Sequence, residues 1–244
     1  MSSTPLTGES TGTAPAASRT GTNSTGARDH GSAPVATDGR PPISRAFFER
    51  PVLEVAPEVL GGVLTRRIPG LPEVAVRITE VEAYDGRIDP ASHAYRGRTP
   101  RNASMFGPPG HLYCYFIYGI HYSLNMVCEP EGEPTGLLVR AGEVVAGHEL
   151  ARERRSVRRR TPPTDRELAR GPGCVAQALG ATTESDGADL FGDEWAFTPP
   201  ASLSTFAVGP RVGVSGPGAD PEAFPWRFSI PGDPTVSAFV KGRG

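Results

Sequence analysis

Residues 74–84 read VAVRITEVEAY and residues 112–127 read LYCYFIYGIHYSLNMV, and these two stretches decide the fold. Successive side chains of a strand point to opposite faces, so a period of two is a strand signal. In the first stretch Val74, Val76, Ile78, Glu80 and Glu82 share one face, and Ala75, Arg77, Thr79, Val81 and Ala83 share the other. The reading is a strand whose apolar face ends in two carboxylates. The second stretch holds two aromatic and β-branched runs, 112–117 and 120–127, separated by Tyr118-Gly119, the pattern of a hairpin with glycine in its turn. Residues 136–141 predict a third strand, and the short runs 211–214 and 226–228 two more. Val52, Leu53, Ala56, Val59 and Leu60 recur at helical spacing up to Gly61-Gly62, with Pro57 interrupting. Residues 144–179 read as helical, broken at Thr161-Pro162-Pro163 and at Gly171-Pro172-Gly173. The predicted fold class is mixed α/β (α+β): a single domain around a largely antiparallel curved β-sheet, with flanking helices and a protruding β-hairpin.

The chain has 244 residues, 37% of them apolar, enough for one sizeable core. Residues 1–45 are rich in Ser, Thr, Gly, Ala and Pro and contain no aromatic residue. Such a segment buries too little apolar surface to offset its ordering entropy, and a disordered tail is expected there, with the domain proper over 46–244. It lacks the charged start and apolar stretch of a secretory signal, and no run approaches the roughly 20 apolar residues that span a bilayer. A cytoplasmic, monomeric protein without membrane association follows as the expectation. The three cysteines (Cys114, Cys128, Cys174) form no CxxC pair, and the histidines show no HExxH, so neither a disulfide framework nor a zinc site is indicated.

Formal net charge is −2, which lends no global support to nucleic-acid binding. Charge acts locally, however, because salt screens fields beyond about 8 Å. Two basic strips stand out: Arg96, Arg98 and Arg101 in one loop, and Arg152, Arg154, Arg155, Arg158, Arg159, Arg160, Arg166 and Arg170 in another region. The latter also fits a solvated helical face.

Chemistry concentrates in residues 78–125. A carboxylate at the end of a buried strand, followed by a loop dense in Tyr, His, Arg and Gly, suits a pocket better than a plain core. Burial resists ionisation, so Glu82 reads as a general base for water or, equally, as an ion-pair partner of an arginine. Glu80 reads as a structural ion pair before a second acid. Tyr84, His93 and Tyr115 offer planar faces for a nucleobase taken out of its stack, or ordinary core packing. Tyr118 sits at the hairpin tip, where a core tyrosine is not expected; an exposed turn residue or a wedge for the minor groove are the two readings.

In order along the chain, EVEAY, DPASHAYRGRTPRN, MFGPPGHLY, YGIHYSLN, LLVRA, LARGPG with QALG, RVGVS and PWRFSIPG make the sequence resemble the alkyladenine (3-methyladenine) DNA glycosylase family. The resemblance covers residues 46–244. It implies a monofunctional enzyme of base excision repair that flips a damaged purine from double-stranded DNA and hydrolyses its glycosidic bond without a cofactor or metal. It implies that Glu82 activates water held by Arg140 and by the backbone carbonyl of Val214. Tyr84, His93 and Tyr115 would line the base pocket, Asn125 would reject the amino group of normal guanine, and Tyr118 would intercalate. Arg98, Arg101 and Arg170 are the candidate contacts to the DNA backbone. The implied substrates are 3-methyladenine, 7-methylguanine, hypoxanthine and etheno-adenine. Cys174 stands where the family usually has a lysine. A strand-nicking glycosylase usually needs an amine; Lys241 is the only lysine, and an intact abasic strand is the expected product. The rival readings are a catalytically inactive binder of damaged DNA and a hydrolase of free nucleosides.

Overall fold

The structure, a computed structural model, describes residues 43–157 and 159–242. Residues 1–42 of the expected tail and Arg158 of the second basic strip lie outside the described residues. At the end of the expected tail, Ile43 packs against the core and Arg45 pairs with Asp189 at 2.9 Å.

Among the described residues the fold is mixed α/β, with nine strands in one antiparallel sheet and three α-helices. The strands are β1 (Val63–Arg66), β2 (Val74–Asp85), β3 (Leu112–Ile117), β4 (His121–Met126), β5 (Thr135–Ala146), β6 (Ala169–Arg170), β7 (Trp195–Thr198), β8 (Ala207–Gly209) and β9 (Arg227–Ser229). The main path runs β3-β4-β5-β2-β1-β7, while β6 adds to β5 and β9 joins β2 to β8. The helices are α1 (Val52–Glu58), α2 (His148–Ser156) and α3 (Pro172–Leu179). α1 keeps Val52, Val55 and Ala56 buried and ends one residue after Pro57, whose ring and missing N–H weaken a further turn.

The centre of the sheet is the β2–β5 pair, and its irregularities set up everything that follows. Register steps from Ile78↔Gly142 to Glu80↔Ala141 and then to Val81↔Val139, leaving Thr79 as the extra residue of β2 and Arg140 as that of β5. A bulge shifts the side-chain parity of the strand beyond it. The expectation that Glu80 and Glu82 continue the face of Val74, Val76 and Ile78 is therefore corrected. After Thr79 the core positions are Val81 and Ala83, and the two carboxylates stand on the other face. Gly142 permits the tight step: a methyl there would come within 2.5 Å of the Arg77 carbonyl oxygen.

Three other expectations change. The strand predicted over 136–141 extends to Ala146 and stops at Gly147, whose φ of 72° suits glycine; the helix begins at His148 rather than at residue 144. The predicted strand over 211–214 is a turn, with Gly213 at φ 74°. Strands β1, β7 and β8, too short to show a period of two, complete the sheet. The hairpin turns at Tyr118-Gly119, both at positive φ (55° and 67°), with an Ile120 N–H to Ile117 carbonyl bond of 3.2 Å.

One face of the sheet meets the helices in a continuous apolar core that includes Leu112, Cys114, Leu124, Met126, Leu137 and Val139 with Val55, Val175, Ala176 and Leu179. No helix is long and apolar enough to cross a membrane among the described residues.

Candidate active site

The other face carries the cavity. Its volume is about 460 Å³, and it is lined by Glu82, Tyr84, His93, Tyr113, Tyr115, Tyr118, Ser123, Asn125, Leu138, Arg140, Val212 and Val214, among others. Parity explains the lining. On β3 the odd positions Tyr113, Tyr115 and Ile117 face the cavity, while Leu112 and Cys114 face the core; on β4, His121, Ser123 and Asn125 face the cavity and Leu124 and Met126 the core. The bulge in β2 puts Glu82 and Tyr84 on this side.

Glu82 lies at the floor and has 0% exposure. Its Oε1 accepts the Val212 N–H at 2.7 Å and lies 3.4 Å from Arg140 Nε, while Oε2 accepts the Tyr84 hydroxyl at 2.9 Å. Burial pushes the carboxyl above the ordinary carboxylate range; Arg140, the Val212 N–H and the Tyr84 hydroxyl pull the other way, and the neighbouring charge of Glu80 adds to the rise. Glu80, also fully buried, is held by Arg227 Nε at 2.6 Å and the Ser237 N–H at 2.7 Å and does not line the cavity. It is a structural ion pair. Arg140 lines the cavity, and among the described residues its two terminal nitrogens have no hydrogen-bond partner.

The aromatic wall is layered. The rings of Tyr113 and Tyr115 stack at 5.1 Å, and the His93 ring meets Tyr115 edge-on at 4.6 Å. His93 Nδ1 is 3.0 Å from the Tyr113 hydroxyl. Burial and then Arg101 push the His93 pKa below its usual value, which favours the neutral ring. Asn125, 4% exposed, donates its amide N–H to the Tyr113 carbonyl at 3.1 Å. Tyr118 at the tip is 82% exposed.

Sequence reasoning missed Tyr113, Ser123, His121 and Arg211. The first three were accessible through hairpin parity. Arg211 opens the RVGVS motif, but its partners lie far away in sequence, so its role could not be read there. Fully buried, it forms a two-pronged ion pair with Asp89, binds the carbonyls of Ala83 and Gly218, and stacks 4.4 Å from the Tyr84 ring centre. It thereby seats the turn that carries Val212.

The arginine strips separate. Arg154 binds the Ala178 carbonyl, Arg155 binds the Leu168 carbonyl and Gln177, Arg152 pairs with Asp165, and Arg159 lies 3.8 Å from Glu167. Arg154 and Arg155 thus tie α2 to α3, while Arg152 and Arg159 pair with acids of the segment between them. Arg170 donates to the Val236 carbonyl at 3.0 Å. Arg98 lies 5.9 Å from the Phe106 ring and Arg101 6.0 Å from the Tyr115 ring, outside the cavity lining. Cys174 does not line the cavity either, although its neighbours Pro172 and Gly173 do.

The sequence that builds this site is similar to that of known proteins. The family described as methylpurine-DNA glycosylase matches residues 46–234. A protein of Streptomyces avermitilis named "Putative 3-methyladenine DNA glycosylase" is 50% identical over 212 residues, covering 84% of this chain and 95% of its own. A Leifsonia xyli protein of the same name is 50% identical over 200 residues, covering 81% and 92%. These matches define a DNA glycosylase, an enzyme of DNA repair. The chain belongs to the methylpurine-DNA glycosylase family.

Proposed function

We propose that this glycosylase excises alkylated and deaminated purines from duplex DNA by adding water to the sugar carbon that carries the base. The observation that carries the reading is the Glu82 carboxylate at the floor of a base-sized cavity, flanked by Arg140 and an aromatic wall. Tyr118 enters the duplex and fills the place of the everted nucleotide, offsetting an unstacking cost of a few kcal/mol. The base lies against Tyr84 on one side and His93 with Tyr115 on the other, and His93 hydrogen-bonds its edge. Asn125 excludes the amino group of normal guanine.

Water enters between the sugar and Glu82, where Glu82 removes its proton and Arg140 and the Val214 carbonyl orient it. Arg140's terminal nitrogens, without a hydrogen-bond partner among the described residues, suit this task. The glycosidic bond breaks, its electron pair leaves with the purine, and the water oxygen joins the sugar. A methylated purine that carries positive charge departs without further activation; a neutral purine needs more from the pocket. The substrates are 3-methyladenine, 7-methylguanine, hypoxanthine and etheno-adenine.

A panel of defined duplexes, one for each lesion, tests the reading by quantifying free base and by checking whether the strand is intact before alkali. Release of methylated purines with an intact abasic strand is expected. No release from any lesion duplex, or equal activity on free nucleosides, contradicts it.

A further inference from the structure

The segment from Thr235 to Gly242 lies beyond the last residue of the family match, yet it is fastened to both halves of the catalytic floor. Thr235 Oγ1 is 2.8 Å from Oγ1 of Thr79, the bulge residue of β2. The Ser237 N–H donates to Glu80 Oε2 at 2.7 Å, and its hydroxyl lies 3.0 Å from Glu80 Oε1 while accepting from Arg140 Nε at 3.2 Å. Further on, the Val240 carbonyl accepts the Gly213 N–H at 2.8 Å. Gly242 rests against Val214 so closely that a methyl there would fall 2.0 Å from the Val214 carbonyl oxygen.

We infer that this segment is a strap that completes the active site, and that Ser237 is a positioning residue acting on Glu82 through Glu80 and Arg140. Arg140 Nε has a single hydrogen. It lies 3.1 Å from Glu80 Oε1 and 3.4 Å from Glu82 Oε1, so two buried carboxylates compete for one guanidinium edge. Arg140 is also the extra residue of a bulge, where the ladder does not dictate its aim. The Ser237 hydroxyl takes the Nε hydrogen and gives its own to Glu80, which settles the competition for that hydrogen. The guanidinium is then fixed beside Glu82 with its terminal nitrogens free toward the cavity. At the other end the strap holds the 212–214 turn, whose Val212 N–H binds Glu82 and whose Val214 carbonyl borders the cavity. One short segment thus sets both groups proposed to hold the nucleophilic water.

The inference rests on the proposed reaction, and its test keeps the two apart. Single-turnover excision from a 3-methyladenine duplex, Kd for that duplex and Tm are measured for wild type, Ser237→Ala, Ser237→Thr and Gly242→Ala. Ser237→Ala should lose about tenfold in rate, about 1.4 kcal/mol of barrier, with Kd unchanged and Tm lowered by a few degrees at most. Ser237→Thr, which keeps the hydroxyl, should recover most of the loss, and Gly242→Ala should slow excision by displacing the Val214 carbonyl. Wild-type rates in both Ser237→Ala and Gly242→Ala, or a loss that follows Tm and is not rescued by threonine, overturn the strap. A wild type that releases no base overturns the reading beneath it.

Discussion

The Tyr84 hydroxyl donates to Glu82 Oε2 at 2.9 Å, from two residues further along the same strand. The side chain proposed to stack on the base and the one proposed to activate water are therefore a single hydrogen-bonded unit. Tyr84→Phe keeps the ring and removes the bond that favours the charged carboxylate. Hydrogen bonds to charged groups contribute about 1.5–3 kcal/mol, and one pH unit corresponds to about 1.4 kcal/mol. The acid limb of the pH–rate profile should rise by about one unit, with rates at high pH recovering toward wild type. A limb that stays in place contradicts the unit.

Glu82→Gln should stabilise the fold at neutral pH. The folded-state pKa of Glu82 lies above its ordinary value because of burial. Such a group favours folding most while protonated, below the unfolded-state pKa. That contribution is lost as pH rises through the folded-state value. Glutamine mimics the protonated form at every pH. Thermal melts should therefore show Glu82→Gln above wild type at pH 8, with the gap closing towards pH 4. A variant less stable than wild type at pH 8 contradicts this.

Tyr118 is a probe of the wedge because its ring supports nothing in the free protein, at 82% exposure. Tyr118→Ala should leave Tm within about 1 °C, since surface substitutions stay within about ±0.5 kcal/mol. Excision from a paired duplex should fall by roughly tenfold or more, because unstacking costs a few kcal/mol. A lesion placed in a single strand or opposite a gap needs less unstacking, and the defect should shrink there.

The two arginine strips should respond in opposite ways. Arg155 is 7% exposed and bonded to the Leu168 carbonyl and Gln177, so Arg155→Ala should lower stability by about 2–3 kcal/mol, as loss of a buried bonded charge does. Its effect on the salt dependence of DNA binding should be nil. Arg101→Ala should leave Tm unchanged and reduce the slope of log K against log salt by about one. Reversed results would return the α2 strip to the DNA interface.

Much of this was legible in the sequence, and the failures have physical causes. The hairpin, its turn and the helix α1 follow from local periodicity and from glycine at positive φ. The members of the cavity are drawn from β2, the 93 loop, β3, β4, β5 and the 212–214 turn, and the motifs named each of these regions. The strand parity of β2 was misread because a bulge is a two-strand property: the extra Thr79 shows only against the register of β5. Glu82 consequently reaches the cavity by leaving the core face rather than by ending it. The packing roles of Arg154 and Arg155 could not be read locally either, since their carbonyl acceptors at Ala178 and Leu168 come from other segments. The roles of Arg211, inside a quoted motif, and of Ser237, outside them all, could not be read locally, because they are created by Asp89, Tyr84 and Glu80, each more than 100 residues away.

Single-turnover release of 3-methyladenine by wild type and Glu82→Gln, with Kd measured on the same duplex, tests the catalytic assignment most directly. A fall in rate of about a thousandfold, roughly 4 kcal/mol, at unchanged Kd is the result expected of the group that takes the proton from water. Excision by Glu82→Gln within a few-fold of wild type would contradict it.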